Sequence, residues 1–566
     1  MESDTRNSHL KGWESRLEKR SSLREDVLDV LEARAGTRQI SVLGRGDRAT
    51  HYTGSQLLEG AERCLKDWAS CLGDGPHVLI AALPFGEAFL FPLLASLIGE
   101  GCLVPIAPPR PTDPPGRMRH IAQTCGATAV LCTSAHQAAI MAQLCDEEGK
   151  QLCPVYLVDG PNVTLTSSVF TPRVVAPIIQ HTSGSTRFPK AVPITAQQLR
   201  ANCALVQRLW GVNAETVTVN WLPHYHDMGL MGGILYTLLS GGQSLQMSPF
   251  EMIRSPLSWL QAISTYRATF SGGPAFAFQE CLTRVPESAC DALDLSSWRR
   301  AFCGAEPIPS DLLGRFSERF ARQGLDPKAA FACYGMAEYT LFIAGEPGIA
   351  AAEATLSDTT VAPCLLSAET RANIRISDPQ TGDALPDGAT GELWLHGASA
   401  GTAYLGQPED SAQTFVQTAD GGSWLRTGDL GRIESRFLVI SGRLKDTVIV
   451  NGQNVAAAEI EWLAAKEDAA LNPMAAAVFV PPDAINGHAA LFIEVRQGMT
   501  PQRSPDQLVS AIRRAVAGTY SIVLDDIRIL ARGTLPRTSS GKIRRQVLAT
   551  SYASNPNDLF RRKELQ

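Results

Sequence analysis

The chain has 566 residues, more than one ordinary core accommodates, so two to four packing units are expected and a two-domain enzyme is comfortable at this size. Hydrophobic residues at 44% and charged residues at 19% match folded globular proteins and exclude a disordered or fibrous chain. A formal net charge of -6, with Lys and Arg scattered along the chain, excludes a general attraction to nucleic acid.

The first twenty residues mix acidic and basic side chains without the apolar core of a secretory signal, and they predict a surface helix. Residues 88–98 form the most apolar stretch; flanked by Glu87 and Glu100, it is too short for the ~20 residues a membrane span needs. Thirteen cysteines without a Cys-x-x-Cys pair read as reduced, buried thiols and point to the cytoplasm.

Along the chain, HVLIAALP (77–84), AVLCTS (129–134) and PVYLVDG (154–160) alternate with helix-like stretches, the α/β pattern of buried strands and crossover helices. The Pro-rich segment 105–115 is incompatible with a helix or a central strand and predicts a surface connection. NIRIS (373–377) and GELWLH (391–396), separated by turn-rich PDGATG, predict antiparallel strands of a β-rich subdomain, and residues 435–450 continue that pattern. EIEWLAAKED (459–468) reads as an amphipathic helix, residues 475–482 and 489–496 as strands, and residues 504–518 as a capped helix. These compose a small α+β unit, so the domains are placed at 1–444 and 445–566.

The chemistry begins at HTSGSTRFPKAV (181–192). Thr182, Ser183, Gly184, Ser185 and Thr186 offer hydroxyls and amides just before Lys190, which suits a polyphosphate cradle. The spacing is not that of the G-x-x-x-x-G-K-[ST] loop. WLPHYHDMGLMGG (221–233), SGGP (271–274), WRRAFCGAEP (298–307), YGMAE (334–338), GELW (391–394), WLRTGDLG (424–431), SGRLKD (441–446) and LPRTSSGKIRR (535–545) follow in order.

Together, over about residues 40–550, these segments resemble the adenylate-forming (AMP-binding) superfamily, which includes acyl-CoA synthetases, nonribosomal-peptide adenylation domains and firefly luciferase. Their wording is most similar to fatty acyl-AMP ligases. The resemblance implies a large N-terminal domain with a mobile C-terminal domain. It also implies ATP-dependent formation of an acyl-AMP from a fatty or other hydrophobic carboxylic acid. Transfer to the phosphopantetheine thiol of an acyl carrier protein would follow, in lipid, polyketide or lipopeptide assembly, with the carrier on a separate chain.

By the same resemblance, Thr182 through Thr186 and Lys190 hold the polyphosphate and Glu338 binds Mg²⁺. Tyr334 stacks on adenine, with Gly335, Met336 and Ala337 beside it, and the strand edge Gly304-Ala305-Glu306 flanks the base. Asp429 accepts the ribose hydroxyls with Arg443 nearby. His226 positions the acyl carboxylate, Lys542 contacts the reacting carboxylate and phosphate, and Lys445 marks the hinge. Gly452 lies on the loop that faces the pantetheine arm in relatives, and His224 is given no role.

Two departures stand out. Arg187 and Ala191 replace the usual loop glycines, which costs energy if either position needs φ > 0, though Arg187 also offers a phosphate contact. Only about 35 residues separate Glu338 from Asn373, too few for the extra segment that obstructs coenzyme A in typical fatty acyl-AMP ligases. Coenzyme A therefore stays open as the acceptor, which would make the chain an acyl-CoA synthetase. The motifs also leave room for an aryl or amino acid ligase and for a non-catalytic nucleotide-binding module. Cys303 and Cys333 border nucleotide motifs and are expected to pack rather than react.

Overall fold

The computed structural model describes residues 22–44, 48–110, 113, 116–145, 148–160, 173–182, 189–354, 356, 359–418, 421–450, 453–481, 488–496, 498–537, 543–555 and 560. The expected N-terminal helix, Ser183 through Phe188, Gly452 and Lys542 lie outside the described residues.

Two large sheets build the first part of the chain. One runs in the order Ala330–Ala332, Arg300–Cys303, Phe270–Gly273, Val217–Asn220, Gln243–Gln246, Arg38–Leu43, Ala49–Thr53, parallel except at its last pair. The other runs Val155–Leu157, Ala129–Cys132, Val78–Ala82, Cys102–Pro105, Ile178–His181, Ala191–Ile194. The three predicted apolar runs are thus parallel neighbours of this sheet. Every residue of the Val78–Ala82 strand is buried, as expected for a parallel strand covered on both faces.

Helix Ala196–Trp210 starts at a capping box, in which the Thr195 side chain and the Gln198 side chain satisfy each other's backbone donors. It stops at Gly211, whose φ of 68° suits the left-handed turn glycine allows. The stop fixes where the Trp210 ring enters the core. The Pro-rich connection after Pro105 is neither helix nor strand among its described residues.

A β-rich unit follows, with Cys364–Leu365, Phe437–Arg443, Ser423–Glu434, Gly391–Leu395 and Ile374–Ser377 in antiparallel order. Beyond the short turn Leu444–Asp446 come the strands Leu471–Phe479, His488–Val495 and Val523–Leu530, with helices Ala457–Ala465, Pro505–Tyr520 and Arg545–Ser554. The helix expected to be amphipathic, Ala457–Ala465, has no exposed residue. It is packed by strand Leu471–Phe479, helix Pro505–Tyr520 and strand Phe437–Arg443, so its polar residue Glu461 is buried as well. No helix among the described residues is long and apolar enough to cross a membrane.

Candidate active site

The motif residues converge on one cavity of about 1030 Å³ between the parallel sheet, the β-rich unit and the C-terminal part of the chain. It lies at the carboxyl ends of the strands Arg300–Cys303 and Ala330–Ala332, the position where open parallel sheets bind ligands.

One corner is built by the TGD turn. Glu392, 2% exposed, accepts from Arg426 Nε at 3.0 Å and Nη2 at 2.8 Å and from the Gly428 amide at 3.1 Å. Thr427 Oγ1 accepts from the Asp429 amide at 3.0 Å. The GELW segment thereby anchors the turn that aims Asp429 inward. Asp429 then receives the Tyr334 hydroxyl at 2.5 Å on Oδ2 and Arg443 Nε at 2.9 Å on Oδ1. Burial and the Asp429 carboxylate push the Tyr334 phenol well above its ordinary range, and Asp429 holds the Arg443 guanidinium charged.

Gly335, Met336, Ala337 and Glu338 continue the wall after Tyr334. Glu338 is 8% exposed, and its Oε1 accepts from the Tyr404 hydroxyl at 2.8 Å. Burial raises its carboxyl pKa, partly countered by that hydrogen bond. Two residues on, Thr340 sits at φ 68° and ψ -60°, with the Leu341 amide donating to Tyr339 O at 2.8 Å. This γ-turn of the rare hand stores backbone strain beside Glu338, and the Thr340 hydroxyl on Ser399 O at 3.0 Å holds it.

The positive side is formed by Lys190, Arg443 and Lys445, with the hydroxyl residue Thr182 on the same cavity wall. Burial, then the Arg443 charge, lowers the Lys445 pKa. Gln180, 1% exposed, also lines the wall, and its Nε2 has no hydrogen-bond partner among the described residues. Burial and then Arg117 press the neighbouring His181 down to about 3, which keeps the ring neutral at physiological pH. Ala191 opens a strand paired with His181 and has no positive φ, so its methyl costs no backbone strain.

His226 faces the cavity with Nδ1 2.6 Å from Asp227 Oδ1. Asp227 also caps the Met228 amide at 2.7 Å, so the carboxylate steers the imidazole. His224 is a core residue: its Nε2 meets Leu83 O at 3.1 Å, its ring packs on Phe89, and burial lowers its pKa to about 4.

The structure corrects one expectation here. Residues 304–306 are not a strand edge, because the strand ends at Cys303 and Ala305 takes φ 67°. Ala305 and Glu306 line the cavity and Gly304 does not; a Cβ on Gly304 would stand 2.7 Å from Cys333 O. The Glu306 carboxylate turns to the Phe276 amide at 2.8 Å. Cys303 and Cys333 are pushed by burial well above the usual thiol range, as inert packing residues are.

Sequence reasoning missed Tyr404, Asp410 and Gln180. Tyr404 carries Glu338's hydrogen bond, and Asp410 Oδ1 lies 2.6 Å from Lys190 Nζ. No short motif joins partners so far apart; the Ala-Tyr-x-x-x-Pro run at 403–408 was the available signal for Tyr404.

The arrangement fits a nucleotide triphosphate. A carboxylate–phenol–guanidinium corner suits ribose hydroxyls, and three cationic side chains suit phosphates. Among the described residues there is no cluster of three metal ligands. Magnesium typically takes one or two protein carboxylates and completes its shell with phosphates and water, and buried Glu338 matches that demand.

Residues 37–405 match the AMP-binding enzyme family. The chain is 35% identical over 406 residues to the medium-chain-fatty-acid–[acyl-carrier-protein] ligase TtuA of Teredinibacter turnerae, covering 67% of this chain. That match spans 63% of the Teredinibacter protein, less than two thirds of its length. It is 30% identical over 544 residues to the long-chain-fatty-acid–AMP ligase FadD26 of Mycobacterium tuberculosis, covering 90% of this chain and 92% of that one. The fatty acid AMP ligase from Legionella pneumophila superposes with a TM-score of 0.67 at 27% identity, over 96% of this chain and 97% of that one.

Proposed function

The chain belongs to the AMP-binding enzyme family, and from that membership we propose that it activates a fatty or other hydrophobic carboxylic acid with ATP and passes the acyl group to the phosphopantetheine thiol of an acyl carrier protein. The observation that carries the reading is the joining, in one cavity, of the Tyr334–Asp429–Arg443 corner to an arm lined by Trp210, Phe270, Phe302 and Phe342.

In the first step a carboxylate oxygen of the acid attacks the α-phosphorus of ATP. The bond from that phosphorus to the bridging oxygen breaks and pyrophosphate departs with the electron pair. Thr182 and Lys190, with Ser183 through Thr186, hold the departing phosphates, and Asp429, Arg443 and Tyr334 seat the nucleoside. Glu338 holds magnesium, which when bound neutralises phosphate charge. His226, steered by Asp227, orients the acid. Lys542 pairs with the reacting carboxylate and phosphate; the residues that follow it, Ile543, Arg544 and Arg545, line the same cavity, which supports this role. In the second step the thiol sulfur attacks the acyl carbonyl carbon, AMP leaves, and the thiol proton passes to solvent.

We divide the chain at 1–444 and 445–566, with Lys445 as the hinge. Buried apolar side chains up to Leu438 fall in two clusters and those from Val448 to Leu548 in two others, while one small cluster of Val361, Val439 and Trp462 crosses position 445; this grouping supports the division. Rotation about a short turn suits the exchange of Lys542 for a thiol in the second step. Thirteen cysteines without a disulfide support a reducing cytoplasm.

Pyrophosphate release that depends on a fatty acid, with acyl-AMP identified by mass spectrometry, is the test. ATP binding without such release in the presence of any acid contradicts the reading. The short stretch from Glu338 to Asn373 favours coenzyme A as a second acceptor, which makes a comparison of acceptors necessary.

A further inference from the structure

The relatives are named for both medium-chain and long-chain acids, so chain length must be read from this chain's own cavity. Helix Met228–Leu235 is a π-helix that carries glycines at 229, 232 and 233. Two of them are demanded by packing: a Cβ on Gly229 would stand 2.1 Å from Pro223 O, and one on Gly233 would stand 2.2 Å from the Asn220 side chain. Gly232 is different. A Cβ there would meet only Leu341 Cδ2 at 3.4 Å and Met228 Cγ at 4.0 Å, ordinary contacts, and its φ is not left-handed. Nothing in the folded chain requires glycine at this position, yet it lines the cavity. Its missing side chain leaves room for something that is not protein.

This helix and the short helix Tyr236–Leu239 that continues it present Met228, Gly232 and Tyr236 to the cavity, four residues apart. The strand Arg300–Cys303 contributes Phe302 to the same cavity, and Ala305 follows it on the wall. Trp210 lines the same cavity, and its carbonyl accepts from Arg300 Nε at 2.7 Å. The indole is held immobile. Its Nε1 donates to Gly345 O at 2.9 Å, it stacks on Phe302 at 5.7 Å, and it meets Phe342 edge-on at 4.7 Å.

We propose that this arm is a measured acyl slot, kept open by Gly232 and closed at its floor by Trp210, and that the acid is a medium-chain fatty acid. The inference rests on the adenylation reading above. The depth of the slot is set by the face that carries Met228, Gly232 and Tyr236. From Met228 to Tyr236 the α-helical rise gives no more than about 12 Å. An extended chain built of ~1.5 Å carbon–carbon bonds advances about 1.3 Å per methylene. The slot therefore takes at most about nine carbons beyond the carboxylate.

The test is acid-dependent pyrophosphate release across straight-chain acids from butanoate to hexadecanoate, for the full chain and for Gly232→Val, Gly232→Ala and Trp210→Leu. Filled methylene sites add about fourfold in specificity per carbon, so kcat/KM rises to an optimum at octanoate or decanoate and falls at least tenfold by hexadecanoate. Gly232→Val moves the optimum down by several carbons while keeping butanoate turnover, which reports that the variant is folded. Gly232→Ala moves it less. Trp210→Leu raises tetradecanoate relative to octanoate at least tenfold. Equal turnover of octanoate and hexadecanoate by the unaltered protein, or the same length profile in folded Gly232→Val, overturns the proposal. Absence of pyrophosphate with every acid defeats the adenylation reading instead; quenching of tryptophan fluorescence by the same acids then decides the length limit by itself.

Discussion

Lys190 Nζ lies 2.6 Å from Asp410 Oδ1 and 4.6 Å from the centre of the Tyr404 ring, although 220 residues separate lysine from aspartate. An incoming polyphosphate must take Lys190 from Asp410. The pair is partly exposed, which places its strength at about 0.2–1 kcal/mol. Asp410→Asn is expected to lower the KM for ATP by up to about fivefold without changing the KM for the acid. ATP–pyrophosphate exchange at varied ATP measures this, and the advantage shrinks as salt is raised.

The buried Glu338 carboxyl has a raised pKa, so magnesium-dependent activity is expected to fall on acidification through that raised value. Tyr404→Phe removes a hydrogen bond that favours the carboxylate, and it moves the acid limb of the pH–rate profile upward. For stability the sign is opposite. A native state that binds this proton more tightly than the unfolded chain is helped at low pH and loses that help as pH rises through the folded pKa. Glu338→Gln is therefore expected to melt no lower than the unaltered protein at neutral pH while losing adenylation. Thermal melting beside the exchange assay checks both directions.

Asp429→Asn leaves the Tyr334 hydroxyl a partner but removes the charge that faces Arg443. Charge-assisted hydrogen bonds contribute about 1.5–3 kcal/mol, so nucleotide affinity is expected to fall about 10- to 100-fold. Titration calorimetry with a non-hydrolysable ATP analogue gives the number.

Glu461, 2% exposed, accepts both Arg545 Nη2 at 2.7 Å and Arg545 Nε at 3.0 Å. Arg545 also stands 3.9 Å from Asp446 in the turn that precedes the C-terminal part. Breaking a buried pair by removing one charge costs about 3 kcal/mol. Glu461→Gln is expected to lower the melting temperature of this part of the chain and to slow adenylation, because Arg545 lies three residues from Lys542. Differential scanning calorimetry and pyrophosphate release report the two effects.

The strands of the parallel sheet and the order of motifs were legible because short contiguous apolar runs and short motifs are local signals. So was the packing role of Cys303 and Cys333, which follows from their small apolar character; His224, given no role from the sequence, is found in the core. Tyr404, Asp410 and the Glu461–Arg545 pair were not legible, since each is a contact between distant segments with no spacing rule. Helix Ala457–Ala465 read as amphipathic because Glu459 and Glu461 break its apolar run; burial on every side depends on neighbours the local sequence does not reveal. Gly304–Glu306 read as strand, but the positive φ of Ala305 ends the ladder one residue earlier. The glycines of the helix after Asp227 gave no hint which of them packing requires.

The most direct measurement offers preformed acyl-adenylate, made by the protein from ATP, magnesium and decanoate, to a phosphopantetheinylated acyl carrier protein or to coenzyme A, and follows both products by mass spectrometry. The expected result is pyrophosphate, decanoyl-AMP, and consumption of that adenylate by the carrier protein with release of AMP. Decanoyl-coenzyme A formed while the carrier stays unloaded contradicts the assigned acceptor, and no decanoyl-AMP with this or any other fatty acid contradicts adenylation itself.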